Sequence, residues 1–274
     1  MLLPSIVNGA NFKNGRNETA GAAAFTRLDL LSIISTIIVL VVAFSPAFAS
    51  TRVNTRAVAC LNNMRQLLAA WRAYAEDNQD RLPPNLSGQN GGWVDGWEDW
   101  SVNNHDNTNV LLLLNARLGP YTKNVGIYKC PADTYLCVEG GRRMPRIRSI
   151  SMNAFVDGSG SSSMYPGWRY YKRFADIEFP PPASLWVFTE EHPDSINDGW
   201  LTADVTNPFS WVDLPSSLHD GGCSFGFADG HTEMKKWLDK TTLVPVRQMQ
   251  YNGFPASGGR DTVWMIQRSS APLY

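Results

Sequence analysis

The chain has 274 residues, a formal charge of −1 and 18% charged residues, with 22 glycines, 17 prolines and 10 tryptophans. That length fits one or two domains, and a near-neutral chain with no basic stripe offers no electrostatic case for a nucleic-acid partner. HExxH does not occur, and the one GxSxG match, Gly222-Cys223-Ser224-Phe225-Gly226, falls in a strand-like stretch of a hairpin and not on a strand-to-helix turn, so neither a zinc-protease helix nor a nucleophile elbow is read and no enzymatic activity is expected.

The first element is announced by Ala22–Ser50, AAAFTRLDLLSIISTIIVLVVAFSPAFAS. Leu30 to Ala49 is twenty residues without a charge, which as a helix spans about 30 Å, the thickness of bilayer hydrocarbon. Ser32, Ser35, Thr36 and Ser45 can bond back to a helix backbone and are tolerable there. Lys13, Arg16 and Arg27 lie at the N-terminal end, so the positive-inside rule keeps that end cytoplasmic and sends the rest across the membrane. Ala47-Phe48-Ala49, just after Pro46, has the form of a signal-peptide cut. The helical pattern nevertheless runs on: Val58, Leu61, Met64, Leu68, Trp71 and Ala75 recur at helical spacing through Arg56–Asn78. The spacing predicts one helix of about fifty residues, a membrane half at 25–50 and an amphipathic half at 51–80, ended by Pro83-Pro84. Asp29 stands at the mouth of the apolar run, a costly place for a charge without a partner.

Residues 81–274 read as a loop-rich globular domain. A short helix is expected from Thr108 to Leu118, stopped by Gly119-Pro120. Arg142, Arg143, Arg146 and Arg148 read as a solvated loop, and Asp157–Gly167 as a flexible one. Ser184–Glu191 has the form of a buried strand. Ser224–Phe227 and His231–Lys235 form a hairpin about Ala228-Asp229-Gly230, since Gly accepts the positive φ of the turn. The expected class is α+β: a long N-terminal helix packed on a small antiparallel sheet with long loop insertions.

Three constellations could carry chemistry. His219, Asp229 and His231, with Glu190, Glu191 and His192, could gather at one sheet edge, and a metal needs three or more converging ligands. Their spacing matches no metal motif, so the expected roles are local: His219 bonding loop backbone and Asp229 making the turn. Trp93, Trp97, Trp100, Trp168, Trp200 and Trp211 serve either as core filler, the expected role, or as a glycan or subunit contact. Cys60, Cys130, Cys137 and Cys223 match no zinc spacing. In an exported chain disulfides are the default. Cys60 on the helix would then pair with Cys130 in the CPAD loop, and Cys137 with Cys223, the first closing a long loop.

AFTRLDLLSII resembles the processing site of type IV prepilins and type II secretion pseudopilins. The resemblance implies a leader at 1–24, a prepilin peptidase cut between Ala24 and Phe25, and methylation of the new Phe25 amine. It also implies that Asp29 pairs with a neighbouring subunit's amine and that Pro46 kinks the helix. Here Ala24 and Asp29 stand where the family mostly has Gly and Glu, and Arg27 where an apolar residue is usual. Four further stretches resemble the large prepilin-like families of planctomycetes and verrucomicrobia: ACLNNMRQLLAAWRAYAEDNQDRLPPN, YKCPAD, EEHPDSINDGW and SLHDGGCSFGFADGHTEMKKW. In the last, His219, nine residues and Asp229-Gly230 match the H-X9-DG signature of that group.

A pilin-like fold and a structural subunit of a type IV pilus or type II secretion pseudopilus are what this resemblance implies. The chain would be single-pass in a bacterial inner membrane, with its C-terminal domain periplasmic or extracellular. Its partners would be membrane lipid, like subunits or other pseudopilins, and prepilin peptidase. No cofactor is expected, apart from a structural calcium ion of the kind some pseudopilins carry, for which Asp95–Asn107 is an oxygen-rich candidate. The rival readings are a non-polymerising, membrane-tethered periplasmic module binding polysaccharide, and a secreted protein cut after Ala49.

Overall fold

The computed structural model describes residues 26–160, 164–251, 253–257 and 259–274, with side chains left out along 43–54. The chain divides into two compact units, Met1–Phe48 and Ala49–Tyr274. Helix α1 is assigned over Arg27–Asp77 and contributes to both.

In the first unit the helix start is set by a reciprocal cap. The Thr26 backbone N–H and hydroxyl donate to the Asp29 carboxylate at 2.9 and 2.7 Å, and the Asp29 N–H donates to Thr26 Oγ1 at 3.2 Å, the logic of a capping box. Ser32, Ser35 and Thr36 return their hydroxyls to backbone carbonyls one turn earlier. Among the described residues no helix is long and apolar enough to cross a membrane. This corrects the expected placement as a single-pass inner-membrane protein with a cytoplasmic N-terminus and a periplasmic or extracellular domain. Ala24, Phe25 and the 1–24 leader lie outside the described residues, as does the side chain of Pro46 and with it the expected kink.

In the second unit α1 lays one apolar stripe into the core. Met64, Leu67, Leu68, Trp71 and Ala75 are at most 4% exposed, spaced so that all fall on one helical face. The helix ends at Asp77, ahead of Pro83, because Gln79 and Asp80 take left-handed backbone (φ 58° and 64°) and reverse the chain. The helix expected at Thr108–Leu118 is instead a single turn, α2 (Leu111–Leu114), followed by a second, α3 (Gly119–Thr122). Gly119 lets the two turns touch, since a Cβ there would lie 2.1 Å from the Leu114 carbonyl oxygen. Pro120 therefore sits in the first turn of α3, where its missing N–H costs nothing, and opens a helix where it was expected to stop one.

Strands β1 (Leu136–Glu139) and β2 (Arg142–Pro145) form a separate hairpin. The main sheet has the order β5-β3-β4-β7-β8, built from β3 (Ile150–Asn153), β4 (Trp186–Glu190), β5 (Trp200–Leu201), β7 (Gly222–Phe227) and β8 (Thr232–Lys236). Its pairs are antiparallel except β3 with β5. A last small pair joins β6 (Ser210–Trp211) to β9 (Phe254–Pro255), and helix α4 (Arg260–Ser269) closes the chain. The architecture is mixed α+β with small sheets.

Strand β7 shows why helices lie on both faces. Successive side chains of a strand point to opposite sides, so GCSFGF separates into Gly222, Ser224, Gly226 and Cys223, Phe225, Phe227. The small set faces α1: a Cβ on Gly226 would lie 2.9 Å from Leu68 Cδ1. The large set joins Trp186, Trp237 and Met265 in a second core, where the Phe225 and Trp264 rings meet edge to face at 5.0 Å.

Two of the four arginines read as solvated are instead buried. Arg146 and Arg148 are each 1% exposed. Arg148 donates to the carbonyls of Ile150 and Asn197 and to Ser151 Oγ. Arg146 donates to the Pro193 carbonyl and lies 4.0 Å over the Trp100 ring. Both help to hold the buried carboxylate of Glu98, whose pKa burial raises and these charges lower.

Candidate functional site

One polar cluster lies between α1 and the sheet. Cys60 occupies the core-facing stripe of α1 one turn ahead of Met64. Cys130 follows a 3-10 turn over Val125–Tyr128, its N–H tied to Ser149 Oγ at 2.6 Å. Glu190 ends β4. His219 sits in the turn before β7, where its backbone N–H and carbonyl both bond to Gly222. The small residues of β7 leave room for them, and all four are at most 5% exposed.

Their donor atoms converge. His219 Nε2 is 2.9 Å from Glu190 Oε1 and 3.2 Å from Cys130 Sγ, and the Cys60 thiol donates to the same Glu190 oxygen. Ser224 Oγ donates to Glu190 Oε1 at 2.6 Å, and Ser216 Oγ to Oε2 at 3.0 Å. Cys60 Sγ, Cys130 Sγ, a Glu190 oxygen and a His219 nitrogen all lie within 4.8 Å of one another, the set among the described residues that could hold a metal ion.

The electrostatics follow from burial and pairing. Burial alone would strip the His219 charge, but its bonds to Cys130 and Glu190 prevail and raise it to about 10. Burial also opposes the Glu190 charge, yet the bonds from His219, Cys60 and Ser224 bring its pKa below the ordinary value. Cys60 is pushed well up, by burial first and then by Cys130 and Glu190. Cys130 goes the other way: burial raises it, but bonds from Cys60 and His219 lower it. Without a metal, these directions describe an imidazolium between a carboxylate and Cys130, with Cys60 a neutral donor.

The other expected site residues are dispersed. Glu191 accepts from Ser151 and Ser195, and burial followed by the nearby Asp213 raises it well. His192 Nε2 meets the Val244 carbonyl at 3.0 Å. Asp229 makes the β7–β8 turn, accepting the His231 N–H at 3.0 Å and meeting its Nδ1 at 2.6 Å, while Gly230 holds φ 97°. Of the six residues that could have gathered at one edge, two separate pairs meet, Glu190 with His219 and Asp229 with His231. The His219 side chain bonds Glu190 and Cys130 where loop backbone was expected. In Asp95–Asn107 the side-chain oxygens do not converge: Asp95 takes the N–H groups of Gly91 and Gly92, Asp106 that of Trp97 and Asn103 that of Gly140, while the buried Glu98 faces the charges of Arg148 and Arg146. Trp93 and Trp211 are in the core, Trp100, Trp168 and Trp200 are half-buried, and Trp97 is exposed.

All four cysteines are free and buried, so neither expected disulfide is formed. Cys60 and Cys130 are nonetheless neighbours. Cys137 and Cys223 have separate surroundings, Cys137 donating to the Met144 carbonyl and Cys223 to that of Glu190. Sequence reasoning missed the convergence of the cysteines on Glu190 and His219 because each segment supplies a single ligand and no spacing records it. Comparison with family models, with curated proteins and with solved structures finds no match for this chain.

Proposed function

We propose that the chain is a pilin-like structural subunit, not an enzyme, that works by assembling with its own copies or with related subunits in a type IV pilus or type II secretion pseudopilus. One observation carries the reading. From Leu30 to Leu40 the first part of α1 carries no charge on any side, its few hydroxyls fall on one face, and Leu30, Leu31, Ile34, Ile37, Ile38 and Leu40 are all exposed. A helix that turns no charged face to water belongs in an interior, and its hydroxyls are already satisfied by its own backbone. Packing against the same segment of neighbouring subunits supplies that interior. The capped Asp29, exposed at its start, is the group that would meet a neighbour's terminal amine and set the register.

N-terminal sequencing of the mature chain is the direct test. A methylated Phe25 start is expected, and an uncut Met1 or a Ser50 start overturns the reading. In cells that assemble the protein, Asp29→Ala is expected to leave a folded subunit that no longer forms filaments. Normal filaments from that variant would remove the register role.

A further inference from the structure

We infer that Cys60, Cys130, Glu190 and His219 form a structural zinc site that clamps α1 to the sheet. The inference is independent of the assembly reading. The donors are two sulfurs, one imidazole nitrogen and one carboxylate oxygen, a set that suits Zn²⁺ and excludes hard cations such as calcium. They come from four separate segments: helix α1, the loop after the 3-10 turn, the end of β4 and the turn before β7. Tetrahedral zinc with bonds of about 2.0–2.3 Å needs donor-to-donor edges of roughly 3.3–3.8 Å. The set lies within 4.8 Å throughout, with the His219 edges at 2.9 and 3.2 Å, so small side-chain movements admit an ion.

The surroundings are those of a closed metal centre. Outer hydrogen bonds orient ligands and tune them; Cys130 and Glu190 each receive one, and a hydroxyl lies beside Cys60. The Ala132 N–H points at Cys130 Sγ from 3.3 Å, Ser224 Oγ lies 3.4 Å from Cys60 Sγ, and Ser216 bonds the second oxygen of Glu190. Three anionic ligands and Zn²⁺ leave one negative charge, spread over these donors. Every ligand is buried and no position is left for substrate, which makes the site structural. On binding, the thiols give up their protons to solvent, so zinc uptake releases acid.

The test uses the full-length chain purified with thiols protected, with zinc alone as the probe. Metal analysis is expected to find one zinc per chain retained through dialysis. X-ray absorption at the zinc edge should show two sulfurs near 2.3 Å and nitrogen or oxygen at about 2.0–2.2 Å. Cobalt in its place should give tetrahedral bands with sulfur-to-cobalt charge transfer. Cys130→Ser removes a ligand and is expected to weaken cobalt binding by more than the roughly 10–100-fold that losing an outer hydrogen-bond partner costs; the absorption spectrum of the unaltered chain decides, since it does not depend on the folding of that variant. A Cys60–Cys130 disulfide in non-reducing peptide maps, a chain that stays metal-free with four free thiols, or bound zinc without sulfur ligands would each overturn the site.

Discussion

At the scale of single residues, loss of solvent and local partners together set the charges of the second unit. Half-buried Asp213 is the clearest case. Its carboxylate accepts the Thr202 N–H at 2.7 Å, but burial outweighs that bond and, with Asp198 nearby, raises its pKa from 3.8 to about 8. The folded chain therefore holds this proton more tightly than the unfolded chain. Stability from Asp213 is complete below pH 3.8 and is lost as pH rises toward about 8, where the folded group also ionises. Asp213→Asn keeps an acceptor for Thr202 and removes the titration. Its melting temperature is expected to gain on the parent steadily from pH 5 to pH 8 and then level off, at about 2–4 °C per kcal/mol for a domain of this size. A pH-independent difference between the two melting curves would show that the Asp213 proton is not held in the fold.

At the scale of elements, β7 ties the α1 face to the opposite core. Adding volume on its small face and removing it on its large face should both destabilise, by different means. Gly226→Val pushes into Leu68 and is expected to cost about 1–3 kcal/mol as overpacking. Phe225→Ala leaves a cavity beside Trp237 and Trp264 and is expected to cost about 3–5 kcal/mol. Urea unfolding measures both, and an unchanged midpoint for Gly226→Val would mean that α1 does not approach β7 so closely. The same elements explain what could be read in advance. The α1 stripe, β4 and the β7–β8 hairpin were legible because each carries a period or a turn signal that burial enforces. The β1–β2 hairpin was not, since Arg142–Pro145 is exposed throughout and lacks a buried face to leave a pattern. Helix α4 was missed because it opens on Arg260-Asp261-Thr262, a polar first turn. Those residues have tertiary roles that a local reading cannot see: the Asp261 carboxylate accepts the N–H groups of Leu238 and Asp239 and the Thr242 hydroxyl. Of the cluster, His219 was singled out by its signature and Glu190 by its neighbours. Their meeting with Cys60 and Cys130 depends on strand order, which no local pattern encodes.

At the scale of the whole molecule, the second unit has its own two cores, and in the first the described apolar side chains are exposed. A chain beginning at Thr55 is therefore expected to unfold cooperatively within about 2 °C of the parent's melting temperature and to show no self-association in analytical ultracentrifugation. Loss of the folded state on that truncation would mean that residues before Thr55 contribute to the core. The cluster also has a consequence in time. Ser224 Oγ reaches Cys60 across 164 positions of chain. At synthesis rates of about 5–20 residues per second, the ribosome needs roughly 8–33 s to cover that distance. Until β3 and β4 emerge, Met64, Leu67, Leu68 and Trp71 have no strand to lie on, and the face is completed only when β7 brings Ser224 and Gly226 to it.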